Sequence, residues 1–167
     1  PLALALITGV WTFTDACNRT ITHTQVITVT PVPIAAFQNP PASINITCDQ
    51  IPTTHPDLNY TNGGTGACGI IGTVSPVVTG SADLCGGAIT RTWSYTDACN
   101  RTITHTQIIT VTPVPIMAFV NPPASLTVSC DNIPTTHPDL TYTNGLTGAC
   151  GINGTVSPVV TGSADLC

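Results

Sequence analysis

The chain has no lysine and no glutamate. Both are strong helix formers, so a surface built from amphipathic helices is disfavoured. Its bases are Arg19, Arg91 and Arg101, set against eight aspartates and a net charge of −5. Such a balance offers no footprint for a phosphate backbone, so no nucleic-acid partner is expected. No apolar run approaches the roughly 20 residues of a membrane span. The Leu2 to Ile7 run is too short for a span. It also lacks the basic flank and cleavage site of a signal peptide, so any export signal is expected outside this chain. No CxxC occurs, and the nearest cysteines, Cys85 and Cys99, stand 14 apart. Zinc is therefore disfavoured, and no metal or cofactor is expected. No Ser/His/Asp set or acid–base carboxylate pair is visible, so the chain is not expected to be an enzyme.

What is present is repetition. Residues 11–85 align without a gap on 93–167, an offset of 82, with 62 of 75 positions identical. The stretch WSYTDACNRTITHTQIITVTP from Trp93 recurs as WTFTDACNRTITHTQVITVTP from Trp11. Ile89, Trp93 and Tyr95 alternate with Thr and Ser, and Ile103, His105, Gln107, Ile109 and Val111 alternate with Thr. Period-two alternation of this kind makes strands with one apolar face. Asp97 to Asn100 breaks the run as a turn. The unit is a hairpin that cannot stand alone in water and needs a second sheet.

The four prolines of 113–123 read as a stiff connector, as does 31–41. The expected organisation is therefore a complete sandwich repeat at 34–115. Residues 1–33 supply the last strands of a preceding repeat, and 116–167 the first part of a following one. Within 34–115 the strands expected are 42–48, 58–61, two within 70–79 around Pro76, and the hairpin after 87. A fifth strand between these is not resolved. The fold class is all-β: tandem immunoglobulin-like β-sandwich repeats of 82 residues, stapled by disulfides.

Eight regularly placed cysteines indicate an oxidising compartment. Four per repeat allow three pairings. In a Greek-key sandwich, Cys68 and Cys99 share one pole, and Cys48 and Cys85 the other. The expected bridges are Cys68–Cys99 and Cys48–Cys85, with Cys130–Cys167 repeating the second. Cys17 and Cys150 are then left without partners in the chain. Either the 167 residues are a window on a longer chain, or neighbouring copies complete each other's sandwiches. The window is the expectation, because a domain cut between its own strands is unstable.

The remaining polar residues have ordinary readings. His23 and His105 are expected to be partly buried strand histidines. His55 and His137 with Asp57 and Asp139 are too few for a cation site. Asp15 and Asp97 are turn residues rather than Ca²⁺ ligands. The Asn-x-Thr triplets at Asn18, Asn45, Asn59, Asn100 and Asn153 match a glycosylation sequon, a pattern that a Thr-rich chain generates by chance.

TDACNRT following ITRTW, together with GACGI and VSCD, resembles the HYR-like, immunoglobulin-like repeats of giant Bacteroidota surface proteins. The near-identical copies are similar to those of SprB-type gliding adhesins exported by the type IX system. The resemblance covers nearly the whole chain apart from residues 1–10. It implies an extracellular structural and adhesive filament, with neighbouring repeats, and surface polysaccharide or substratum, as partners. The rival expectation is a carbohydrate-binding module using exposed Thr, Asn and Tyr.

Overall fold

A computed structural model describes residues 5–163. The fold is all-β. Strands β1 (Ala5–Thr14) and β2 (Thr20–Val29) form a hairpin in which Trp11 faces His23 and Phe13 faces Ile21. Next come β3 (Ala36–Phe37), β4 (Ile44–Ile46), β5 (Leu58–Thr61), β6 (Ile71–Val74), β7 (Val77–Asp83), β8 (Gly86–Thr96) and β9 (Thr102–Val111). Strands β10 (Ala118–Phe119), β11 (Leu140–Thr143) and β12 (Asn153–Val156) follow. The sheets run β1-β2, β3-β5-β6, β4-β9-β8-β7 and β10-β11-β12. The last sheet repeats the second in order and register, as the 82-residue period requires.

The chain divides into two compact units. The first holds 1–40, 57–75 and 93–105, and the second 41–56, 76–92 and 106–167.

In the first unit, the β5 and β8 faces meet at Tyr60 and Tyr95, whose rings stack with centroids 3.9 Å apart. This is the sandwich contact expected of two facing sheets. Burial, and then the neighbouring Tyr95, push the Tyr60 phenol above its ordinary value. Trp93 is almost wholly buried, with its ring 5.8 Å from that of His105. The loop between β8 and β9 explains the TDACNRT motif. Asp97 Oδ1 accepts from the backbone N–H groups of Cys99 and Arg101 at 2.8 and 3.0 Å. Its Oδ2 takes the Arg101 Nε at 2.6 Å. Asn100 holds φ +58, a left-handed conformation that asparagine tolerates better than most residues. The copy at Asp15, Asn18 and Arg19 has the same geometry.

In the second unit, β4 runs parallel to β9, with Ile44, Asn45 and Ile46 opposite Ile109, Thr110 and Val111. Strand β7 is antiparallel to β8. Pro76 lies between β6 and β7, where its missing N–H breaks no ladder. Ile109 and Val111 are buried, while Ile108 and Thr110 face out, the alternation read in the sequence.

Three features depart from the sequence reading. The connector 31–41 contains a strand, because Ala36 and Phe37 pair with Thr61 and Tyr60. The first strand of the repeat is shorter than 42–48, and Cys48 lies instead in a 3-10 turn, Cys48–Gln50. His23 is exposed rather than partly buried, because both faces of β2, the apolar one included, are exposed.

Candidate functional site: the Cys48–Cys150 staple

The 3-10 turn after β4 presents Cys48. The Thr47 N–H donates to Gln50 Oε1 at 3.3 Å, and the Gln50 N–H to Thr47 O at 3.0 Å, closing the turn. A second 3-10 turn, Gly148–Cys150, presents Cys150. Asn144 holds the loop that carries it. Its Nδ2 donates to Cys150 O at 2.9 Å, and its Oδ1 accepts the N–H groups of Leu146 at 3.1 Å and Ile152 at 3.0 Å. Asn144 is buried with all these partners made, as a buried amide must be. Asn62 does the same for the Cys68 loop, bonding Cys68 O and the N–H groups of Gly64 and Ile70 at 2.9, 2.9 and 2.8 Å.

Cys48 and Cys150 form a disulfide across 102 residues, with Cα atoms 5.7 Å apart. Both cysteines are buried. They belong to different loops of different repeats, since Cys150 is the counterpart of Cys68 and Cys48 that of Cys130. The bond therefore ties one repeat to the next. A cavity of about 520 Å³ beside it is lined by Thr47, Asp49, the connector Thr112–Pro115, Leu146 and Thr147. The connector is held as well: Thr112 N–H donates to Ile46 O and Val114 N–H to Leu84 O, each at 3.0 Å.

This arrangement corrects the expected bridges. Cys48 joins Cys150, not Cys85, and Cys150 is not left unpaired. Cys17, Cys68, Cys85, Cys99 and Cys130 are free and exposed. Cys68 and Cys99 are thus not bonded to each other, although both loops reach the preceding connector. Asn62 Nδ2 donates to Pro33 O at 3.3 Å, and Arg101 Nη1 to Val32 O at 2.8 Å. The expected partner of Cys130, Cys167, lies outside the described residues. The sandwich argument placed cysteines at poles but treated each repeat as closed. It left out how near the next repeat's loop comes to the end of β4.

Among the described residues, Cys48, Asp49 and Cys150 are the set whose donor atoms lie together, within 4.8 Å. The two sulfurs are bonded to each other, whereas a metal would need them as thiolates. That leaves the Asp49 carboxylate alone, so the cluster as built is a staple rather than a metal centre.

The sequence reading also missed a buried polar network. Arg91 donates from Nε to His55 Nδ1 at 2.9 Å, from Nη1 to Gln107 Oε1 at 3.2 Å and from Nη2 to Thr54 O at 2.8 Å. Gln107 Nε2 donates to Ala42 O at 2.8 Å. Arg91 and Gln107 are buried, and no carboxylate neutralises the guanidinium in this set. The network pins 42–55 against β8 and β9. An arginine at an inward position of a Thr-rich strand was its visible signal. Asp57 bonds Ser75 at 2.6 Å and His55 bonds Arg91, so each has a structural partner.

Among the described residues, no helix is long and apolar enough to cross a membrane. Residues 38–111 match the HYR-like domain with 4 cysteines. That span contains Cys48, Cys68, Cys85 and Cys99. The match supports placing the repeat among the HYR and immunoglobulin-like repeats, which are typically extracellular, adhesion-type modules. No curated protein matches the chain.

Proposed function

We propose that the chain is a structural and adhesive segment of a long extracellular surface filament, of the kind that serves as a gliding-motility adhesin, and that it has no catalytic role. The observation that carries the reading is the Cys48–Cys150 bond between successive repeats. A covalent tie across a connector transmits tension without relying on the sandwich core alone. The match to an adhesion-type module supports the same reading. So does a surface poor in charge and rich in Thr, which suits strands facing water. Neighbouring repeats are the first partners, and the substratum or surface polysaccharide the terminal one.

Immunogold labelling of intact cells with antibody against residues 34–115 tests this. The reading expects label spaced along threads that leave the cell surface. Label confined to monomeric protein in the medium would contradict it.

A further inference from the structure

The sheet β3-β5-β6 has one face on the core and one in water. Tyr60 stacks on Tyr95 and Leu58 is buried, which marks the inner face. The alternate residues face out. They stand in two cross-strand rows, with neighbouring side chains about 4.8 Å apart. In one row Asn59 pairs with Thr73, and Gln38 joins them because its N–H donates to Asn59 O at 2.8 Å. In the other, Thr61 lies between Ala36 and Ile71. A cavity of about 400 Å³ lies over these rows, with Gln38, Asn59, Thr61, Ile71 and Thr73 among its walls. All of them lie well inside the chain, in the first compact unit.

The face carries no charge. Gln38, Asn59 and Thr73 each offer a donor and an acceptor, side by side. Among the described residues, no protein group is bonded to these three side chains. Next to them Ala36 and Ile71, the latter 83% exposed, make the second row apolar at both ends. A second observation is independent of exposure. The counterparts of Gln38, Asn59 and Ile71 are Val120, Thr141 and Asn153, so an amide becomes aliphatic, an amide becomes a hydroxyl and an aliphatic becomes an amide. The inner positions Phe37, Leu58, Tyr60, Gly72 and Val74 are unchanged. Contact with water does not by itself account for this. On the outward face of β7, β8 and β9, the aligned positions that differ are Thr12/Ser94 and Val26/Ile108, and both keep their type. The side chains over the cavity change in kind between two copies that otherwise agree, as those of a ligand-selecting surface do.

We propose that the outer face of β3-β5-β6 binds an uncharged polysaccharide. Gln38, Asn59 and Thr73 bond ring hydroxyls, and Ala36 and Ile71 lie under the C–H face of a sugar ring. A sugar hydroxyl both donates and accepts, as these three side chains do. A sugar ring also has a polar rim and an apolar face, which matches one polar row beside one largely apolar row. An acidic glycan would meet no cation here, on a chain whose net charge is −5. The site deepens the filament reading and rests on it for the class of partner, since it gives the polysaccharide a place on the repeat.

The test is affinity electrophoresis of the full 167-residue chain in native gels that hold mixed-linkage β-glucan, galactomannan or alginate. The chain is expected to be retarded in at least one of the two neutral gels and to run freely in alginate. Ile71→Glu and Asn59→Ala are expected to lose the retardation; both side chains are exposed, so the strands survive the change. Thr104→Glu adds the same charge on the exposed face of β9 and keeps it. Free mobility in both neutral gels overturns the proposal, as does retardation in alginate. So does retardation that survives Ile71→Glu, or that Thr104→Glu abolishes as well. Failure in the gels removes the glycan site and leaves the immunogold test of the filament untouched, while absence of labelled threads leaves the gel result standing.

Discussion

Asp97 shows how much one side chain can organise. It takes two backbone N–H groups and the Arg101 guanidinium, so the whole loop between β8 and β9 closes on one carboxylate. The Arg101 backbone N–H, with the Arg101 side chain, holds its carboxyl below the ordinary 3.8 against the opposing pull of burial. A carboxylate whose folded value is depressed stabilises the fold above its unfolded value, and loses that contribution as pH falls through the folded one. The amide signals of Cys99 and Arg101 are therefore expected to shift in an NMR titration with a midpoint below the ordinary carboxylate value of 3.8. A transition centred above that value would contradict the assignment. Arg91 makes a second residue-scale case. Arg91→Leu leaves the buried Gln107 acceptor unpaired and removes the part-buried bonds to His55 and Thr54, an expected loss of about 1–3 kcal/mol in urea unfolding. A neutral result would mean that water enters and replaces the guanidinium.

At the scale of elements, the strands with strict alternation were legible before the structure. Leu58–Thr61 and Thr102–Val111 appear as read, and the 70–79 stretch splits around Pro76 as the missing N–H requires. The two-residue strand Ala36–Phe37 was not legible, because its proline-rich setting looks like a linker and its pairing is supplied by β5. Nor was the parallel pairing of β4 with β9, since three residues carry no signal of strand direction. The cysteine partners were illegible for a related reason: proximity across a connector is a property of two repeats, and periodicity describes only one. Gly80 gives the element-scale prediction. It sits in β7 at φ +79, and an added Cβ would meet the Ala88 carbonyl of β8. Gly80→Ala is expected to cost at least about 1–2 kcal/mol for the left-handed backbone alone, seen as a lower midpoint in thermal or urea unfolding. An unchanged midpoint would show that β7 contributes little.

For the whole molecule, the account rests on repeats that are bonded to each other rather than merely strung together. A bridge across 102 residues restrains the unfolded chain by about 4–5 kcal/mol in the chain-entropy picture. That is a large contribution beside a core of this size. It also explains why the loop that carries Cys150 is held by the buried Asn144: the staple needs that sulfur presented at a fixed place. The direct measurement is a non-reducing peptide map of the native, alkylated 167-residue chain. The account predicts one linked pair joining the peptides of Cys48 and Cys150, with Cys68, Cys85 and Cys99 alkylated. A map in which Cys48 is joined to Cys85 instead would contradict it.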